Sequence, residues 1–293
     1  MKVTARVYGT GSWATGGNMN TASGDQSGFG LQTAAIAAGG TTGAGNYNNH
    51  SELYNGASWT ELAAMNTPRR SASGFGASTA GVNASGQTTG GGVITGVENF
   101  DGSSWTTGTA VSNAVRNLGS STSGTQTAMV VFAGIGASGS GNTDTESWNG
   151  SSWTSSGAMS TGRYRLGSAG TQTAALAYGG YSTSTLNATE EYGGSSWTSG
   201  GNLGTARYGG GSAGLQTAAL FISGTTGPTV QTAVEQYDGS SWTAGTAVPT
   251  GKNLNSGAGT TAAALMFGGL PHTTATFEFT GPGASLTKTV ATT

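Results

Sequence analysis

The chain has 293 residues, of which only 8% are charged and 55 are glycine, and its formal net charge is −2. A chain so close to neutral lacks the stripe of cations that neutralises phosphates, which argues against a nucleic-acid partner. Hydrophobic residues make up 34% of the sequence and recur at regular positions, which argues against a disordered chain and favours an ordered β protein built of small residues.

The first residues and the cysteine content narrow the classes further. Residues 1–11 contain no apolar segment of the kind that a secretory signal needs, so we expect no signal peptide. No stretch approaches the roughly 20 apolar residues of a membrane helix, so we expect no membrane insertion. Cysteine is absent, which excludes disulfides and thiolate chemistry.

One motif, with the pattern Glu-x-Tyr/Phe-x-Gly-x-Ser-Trp-Thr in its fullest form, recurs along the whole chain. The tryptophans that mark its copies are Trp13, Trp59, Trp105, Trp153, Trp197 and Trp242. They are 46, 46, 48, 44 and 45 residues apart, and a period in this range indicates a repeat architecture. We therefore predict a single domain over residues 1–293, with repeat units bounded near these tryptophans.

The unit between Trp197 and Trp242 shows the predicted elements most fully. A strand at 197–198 is followed by a strand of small residues at 209–214 and an apolar strand at 215–222. A fourth strand at 232–237 leads into a turn at 238–241, which returns the chain to the next Trp. Four short antiparallel strands in about 45 residues are the size of one β-propeller blade. We expect the small-residue strand to be the innermost, because strands near the axis are crowded.

Two further signals recur in each unit. A glycine doublet or a close variant follows the apolar strand, at Gly39-Gly40, Gly91-Gly92, Ala133-Gly134, Gly179-Gly180, Ser223-Gly224 and Gly268-Gly269. A Gln-Thr pair, replaced by Thr260-Thr261 in the last unit, opens that strand at Gln32-Thr33, Gln87-Thr88, Gln126-Thr127, Gln172-Thr173 and Gln216-Thr217.

The blade count follows from the number of inner strands. Six segments carry the doublet, whereas seven outer hairpins can be drawn if residues 3–14 form one and residues 276–279 pair with 286–290 around a turn at 281–283. A closed ring needs inner strands in every blade, so we predict six blades, with seven as the alternative. We expect terminal segments, including a closing segment at 270–293, to pair so that no sheet edge stays open.

Charged residues also follow the repeat. A glutamate stands seven residues before five of the tryptophans, and a cation stands ten or eleven residues after five of them. Charges placed so regularly in a chain so poor in them predict ion pairs within or between blades, because a half-buried charge is costly unless it is matched. This predicted structural ladder comprises Glu52, Glu98, Glu146, Glu190, Glu235, Arg69, Arg116, Arg163, Arg207 and Lys252. A ring of arginines that binds a ligand is the alternative interpretation.

The repeat resembles the kelch unit. Gly179-Gly180 followed by Tyr192 and Trp197 resembles its glycine doublet, aromatic third strand and Trp, and Met65-Asn66-Thr67-Pro68-Arg69-Arg70 resembles the element that opens its next unit. The resemblance covers residues 8–279 and implies an all-β propeller of four-stranded antiparallel blades. The sequence departs from it in an Ala/Thr-rich second strand. The residues of the repeat also resemble those of kelch-like proteins of tailed, especially marine, bacteriophages. This resemblance implies a virion location.

The sequence offers no catalytic constellation, so we expect a protein that is not an enzyme and needs no cofactor or metal. His50 and His272 stand in corresponding loops, but neither Cys nor a nearby acid completes a metal site around them. Galactose oxidase is a kelch propeller enzyme, yet its copper site needs a Cys-crosslinked Tyr that a Cys-free chain cannot form.

Binding is therefore assigned to the loops between the second and third strands, which vary while the scaffold repeats. The candidate binding residues are Asn46, Tyr47, Asn48, Asn49, His50, Tyr181, Asn187 and His272. We expect a structural or interaction protein of a phage tail or capsid surface, with other virion proteins or host-surface glycans as partners. A stand-alone lectin-like module is the alternative, and a glycan-active enzyme is a remote one.

Overall fold

The computed structural model describes residues 3–7, 11–43, 46–281 and 286–290. Within those ranges the protein is all-β, without an α-helix, and its strands form six four-stranded antiparallel sheets arranged as the blades of a propeller. The predicted fold class and the predicted six blades are thereby confirmed.

The strands follow the chain blade by blade. The chain begins with β1 (Val3–Val7) and β2 (Ser12–Thr15). The first blade consists of β3 (Ser27–Leu31), β4 (Ala34–Ala38), β5 (Ser51–Tyr54) and β6 (Trp59–Glu61). The next strands are β7 (Arg69–Arg70), β8 (Ser73–Ala77), β9 (Ala80–Ala84), β10 (Gln87–Thr88), β11 (Val97–Phe100) and β12 (Trp105–Gly108). Of these, β8, β9, β11 and β12 make the second blade, and β7 pairs with β10 beside it.

The remaining blades repeat the pattern. The third consists of β13 (Gly119–Ser120), β14 (Met129–Phe132), β15 (Thr145–Trp148) and β16 (Trp153–Ser155). The fourth consists of β17 (Gly167–Thr171), β18 (Ala174–Tyr178), β19 (Thr189–Tyr192) and β20 (Trp197–Ser199). The fifth consists of β21 (Gly211–Leu215), β22 (Ala218–Ile222), β23 (Val234–Tyr237) and β24 (Trp242–Ala244). The last strands are β25 (Ser256–Gly259), β26 (Ala263–Phe267), β27 (Thr276–Thr280) and β28 (Leu286–Val290).

Both ends of the chain contribute to the sixth blade. Its inner three strands are β25, β26 and β27, and its outer strand is β2, with Ser12 opposite Thr280 and Thr15 opposite Phe277. A second ladder joins β1 to β28, from Val3 opposite Val290. The segments at 3–14 and 276–290 therefore pair with each other rather than forming the two separate hairpins that we considered from the sequence. The predicted turn at 281–283 lies mostly outside the described residues.

The innermost strand of each blade is the small-residue strand, as predicted. These strands contact one another around the axis, where β21 meets β25 and β25 meets β3. A Cβ atom on Gly257 would lie 2.5 Å from the carbonyl oxygen of Ser212 in the neighbouring blade, so the spacing there requires glycine. The second strands are buried on both faces, as the consecutive residues Leu220 and Phe221 show, because each blade packs between two others.

The second blade corrects part of the predicted repeat alignment. Its doublet is Ser85-Gly86, and both residues have a positive φ, 65° and 104°, like the doublets of the other five blades. Gly91-Gly92 instead belongs to the loop that follows, and Gln87-Thr88 forms β10. In the other units the Gln-Thr pair occupies the turn before the second strand rather than opening it, and in this blade Ser78-Thr79 takes that place.

The tryptophan and the glutamine of the repeat join neighbouring blades. Trp197 Nε1 donates to Thr145 Oγ1 at 2.9 Å, and Trp242 makes the same contact with Thr189 one blade further on. Gln216 Nε2 donates to the carbonyl oxygens of Ala175 and Tyr192, at 3.0 and 2.7 Å. The repeated motif therefore holds the ring of blades together.

The glutamates of the predicted ladder are all buried, and each accepts hydrogen bonds from the backbone that leads into its own blade. Glu98, for example, accepts from the N–H groups of Asn66 and Thr67 at 2.7 and 3.1 Å. Three of the five also pair with an arginine, in Arg69–Glu98, Arg163–Glu190 and Arg207–Glu235.

Among the described residues, the third blade has no arginine–glutamate pair at the predicted ladder positions. Val115, not Arg116, occupies the arginine position before the third blade, because its carbonyl oxygen accepts from Gly86 as that of Arg69 accepts from Gly40. Glu146 thus keeps its backbone contacts, to Ser112 and Asn113, without an arginine.

The first and sixth blades each lack one member of the arginine–glutamate pair. Ser23 takes the arginine position that faces Glu52, and Phe277 stands where Lys252 would meet a glutamate.

Candidate functional site

The direction of the strands gives the propeller two unlike faces. Loops from the second to the third strand and links between blades lie on one face, which we call the loop face. The opposite face, the turn face, carries the short turns, in which Asp101 and Asp238 accept hydrogen bonds from the backbone N–H groups two and three residues on. These contacts lower the pKa of both carboxyls, that of Asp238 to about 2.

Six residues of the links form a closed ring of backbone hydrogen bonds around the axis, which we call the axial ring. Each N–H donates to the carbonyl oxygen of the ring residue one blade earlier, at 2.7 to 2.9 Å. Its members are Asp25, Ser71, Asn117, Arg165, Gly209 and Leu254. All six have a positive φ, between 51° and 68°, and five of them are not glycine. Residues are held in this sparsely populated region only where the surroundings over-determine it.

The axial ring lines a cavity of about 100 Å³ at the centre of the loop face. A further cavity of about 120 Å³ lies deeper, between the inner strands. Asp25 is 8% exposed at the mouth, where its Oδ2 accepts from Ser71 Oγ at 2.5 Å and lies 3.9 Å from Arg70 Nε. Burial raises the pKa of Asp25, against the opposing effects of the Ser71 hydrogen bond and of Arg165, Arg70 and Arg116.

The mouth also holds polar nitrogens that no acceptor satisfies. Asn117 is 8% exposed, and its Nδ2 has no hydrogen-bond partner among the described residues. The Nε atom of Arg165, which also lines the cavity, is likewise buried without an acceptor among the described residues, as is that of Arg116 on the same link as Asn117. A buried donor left without a partner is rare in folded proteins, and such groups are expected to meet water or a ligand.

A cluster of tyrosines borders this mouth. Tyr181 lies between Tyr164 and Tyr208, with ring centroids 5.6 and 5.4 Å away, and Arg165 lies 6.0 Å from the centroid of the Tyr208 ring. These four residues line a cavity of about 220 Å³. Bridges between strand-like segments position them, because Tyr164 and Tyr181 pair across the link and the loop of the fourth blade. Arg165 therefore lines both the axial and the tyrosine cavity.

Three of the predicted binding residues, all asparagines, form hydrogen bonds within the protein. Asn48 is buried and donates to Ser23, while Asn49 and Asn187 occupy equivalent positions and donate to the carbonyl oxygens of Met65 and Leu203. These three amides hold the loops to the scaffold.

The predicted aromatic residues and the asparagine nearest the loop tip have more open positions. Tyr47 packs under Arg70, 4.7 Å from its Cζ, and its hydroxyl donates to Gln87. Tyr181 belongs to the tyrosine cluster. Asn46 is exposed.

The two histidines lie on neighbouring loops of the first and sixth blades. His50 Nδ1 is 3.2 Å from Thr21 Oγ1, and His272 Nε2 is 3.1 Å from Thr41 Oγ1. The described residues contain no group of three or more His, Asp or Glu side chains that could hold a metal.

No family model matches the chain, and no curated protein is similar to it. In the described ranges no helix is long and apolar enough to cross a membrane.

Sequence reasoning did not find the axial ring. Its members differ in side chain because the backbone makes the contacts, so no residue type recurs at that position. The available signal is spacing, since each member lies two residues after the arginine position of its unit.

Proposed function

We propose that the protein is a non-enzymatic interaction propeller of the kelch-like kind, which binds its partner through the axial mouth of the loop face. The supporting observation is the contrast in how its cations are used. Arg69, Arg163 and Arg207 each pair with a buried glutamate, whereas Arg165, which lines the axial cavity, has a buried Nε without an acceptor among the described residues. A concave site with convergent polar groups is the usual form of a binding site.

The same geometry favours binding over catalysis. Among the described residues, Asp25 supplies the one carboxyl group of the axial cavity, and it accepts a hydrogen bond from Ser71 and lies 3.9 Å from Arg70. A general acid or base must lie within hydrogen-bond reach of the proton that it transfers, and the Oδ2 of Asp25 already accepts from the Ser71 hydroxyl. The tyrosines that border the mouth offer stacking surfaces instead.

For the biological setting we propose a virion component of a tailed phage, which contacts host-surface glycans or another virion protein. The support is the resemblance of the repeat to kelch-like phage proteins, together with the polar, aromatic loop face. A stand-alone lectin-like module would use the same face. The presence or absence of the chain in purified particles distinguishes a virion component from such a module.

The test combines a glycan array with mass spectrometry of particles that carry the gene. We expect the chain at stoichiometric copy number in the particles, and glycan binding that falls when the loop-face variant Tyr181→Ala is tested beside the turn-face control Thr217→Ala. Absence from the particles would contradict the virion setting. Binding that is insensitive to Tyr181→Ala and to other loop-face changes would contradict the assignment of the face.

A further inference from the structure

We propose that the axial mouth, which is the opening of the cavity lined by the axial ring, is a subsite for the carboxylate of a sugar acid. The sugar ring would lie in the adjoining tyrosine cavity. The inference rests on the proposed binding role of the loop face and adds the chemical class of the ligand. Arg165 is the central residue, because it lines both cavities.

The distribution of charge selects an anion. Apart from the three arginines paired with buried glutamates, every cation whose side chain the structure describes stands on a link of the loop face. These cations are Arg70, Arg116, Arg165 and Lys252. Arg165 lines the axial cavity together with Asp25, and Arg70 Nε lies 3.9 Å from the Asp25 carboxylate, so among the described residues two cations lie by the one acid of the cavity lining.

The donors select a carboxylate among anions of this size. Asn117 contributes an amide N–H that is buried and unpartnered, and it lies next to Arg116 in the chain and next to Arg165 in the axial ring. The planar guanidinium fork matches the two oxygens of a carboxylate, and an amide N–H can complete the set. Arg70 is not available in the same way, since its Nε and Nη2 both donate to Gln87 Oε1.

The tyrosine cavity selects a sugar over an acidic peptide. Its volume of about 220 Å³ is below the roughly 300–1,000 Å³ of sites for drug-sized ligands, which suits one monosaccharide unit. Tyrosine offers an apolar face for the C–H groups of a pyranose and a hydroxyl for its polar groups. Tyr164, Tyr181 and Tyr208 are all half-buried, so each exposes part of its ring to such a ligand.

Asp25 sets the strength of this subsite. Its carboxylate opposes the incoming carboxylate, while Arg70, 3.9 Å from Asp25, and Arg165, in the cavity lining, favour both. Removing the Asp25 charge should therefore strengthen binding, whereas removing the Arg165 charge should weaken it. Asp25 and Arg165 lie on opposite sides of the axial ring, and opposite effects on binding from these two residues are not expected of a merely structural role.

The experiment is isothermal titration of the full chain with methyl glucuronide, methyl galacturonide and N-acetylneuraminate, with methyl glucoside as the uncharged match. We expect at least one acid to bind tenfold or more tightly than methyl glucoside. Arg165→Gln should weaken that binding at least tenfold, Asp25→Asn should strengthen it several-fold, and Thr217→Ala on the turn face should leave it unchanged. Added salt should weaken it. Unfolding curves confirm that each variant is folded, and Tyr181→Ala provides a second test of the site.

Equal affinity for the acids and methyl glucoside, or binding that Arg165→Gln leaves unchanged, would overturn the sugar-acid subsite. The proposed role of the loop face would survive that result if array binding still depended on Tyr181. Binding of an oligoglutamate peptide with the same Arg165 dependence, while no sugar acid binds, would overturn the sugar and assign the mouth to an acidic protein partner. A different result would contradict the proposed function itself. In that case no loop-face variant would change either glycan binding on the array or incorporation into particles.

Discussion

Arg163 donates through Nη2 to Glu190 Oε1 at 2.6 Å, and the two side chains are 0% and 3% exposed. The same guanidinium donates to the carbonyl oxygens of Gly179 and Ala188. Glu190 in turn accepts from the backbone N–H of Ser160 in the link. The pair therefore joins a strand, a loop and a link within one blade.

Removing the glutamate should cost more than removing the arginine. Glu190→Ala leaves Arg163 buried without its partner and also frees the N–H of Ser160, so we expect it to destabilise by about 3–5 kcal/mol. Arg163→Val reproduces the third blade, where Val115 stands before a glutamate that keeps its backbone contacts, and should cost less. Urea unfolding of both variants and of the double variant measures the costs and their coupling. A larger loss for Arg163→Val would contradict the capping role of the glutamate.

The second blade lacks an inter-blade contact that its neighbours have. Gln32, Gln126 and Gln216 each bridge two carbonyl oxygens of the preceding blade, but Ser78 occupies that position here. Ser78→Gln should reach the carbonyl oxygens of Ala35 and Tyr54 and stabilise the protein by about 1 kcal/mol. The matched control is Thr79→Gln, one residue on in the same turn. An unchanged urea midpoint for Ser78→Gln would show that the local geometry differs.

The turn of the fourth blade can be improved in the same way. Gly193 stands where Asp101, Asp238, Asn55 and Asn149 accept two backbone N–H groups, and a Cβ there would meet no atom closer than 4.0 Å. Both Gly193→Asp and Gly193→Asn should stabilise by about 1 kcal/mol, since they add contacts and remove glycine freedom from the unfolded chain.

Only the aspartate variant should show a pH signature. A carboxyl whose pKa is lowered on folding contributes stability that is present above its unfolded value, near 3.8, and is lost as pH falls through the lowered value. Thermal unfolding between pH 7 and pH 2 should therefore show Gly193→Asp losing its advantage, while Gly193→Asn keeps it. Parallel curves for the two variants would exclude a carboxylate contact.

Asp25 should give the opposite pH dependence. Because burial raises its pKa, the folded state binds more protons than the unfolded one above pH 3.8, and stability falls as pH rises through the raised value. Relative to Asp25→Asn, whose side chain does not titrate, the wild type should lose stability across that window. Unfolding free energies at a series of pH values measure the difference. A difference that is constant, or that grows in favour of the wild type with pH, would exclude a net burial penalty at Asp25.

The sequence was sufficient for the architecture because the scaffold repeats through its side chains. Trp, Glu and small inner residues recur at fixed spacing, and each recurrence reflects the same contact in a new blade. The second blade misled the alignment because its doublet is Ser85-Gly86, while a second pair of glycines, Gly91-Gly92, stands six residues later.

The candidate site was harder to predict because it is assembled by the backbone. Nothing in the local sequence of Arg165 or Asn117 separates it from a solvent-exposed link residue. Only the closure of the ring brings these residues to one axis. Asn49 and Asn187 were attractive from the sequence for the opposite reason, since amides that hold a loop and amides that bind a sugar have the same chemistry.

The pairing of β2 with β27 also orders events during synthesis. The first five blades can form from contiguous chain, but the outer strand of the sixth waits near the start of the chain until Thr280 has been made. Until then β2 has no partner in a blade, and an unpaired strand edge invites association with other chains. Closing a loop of that length is slow compared with forming a hairpin. Completion of the sixth blade thus requires synthesis through Thr280, because a product truncated before β27 keeps an open seam.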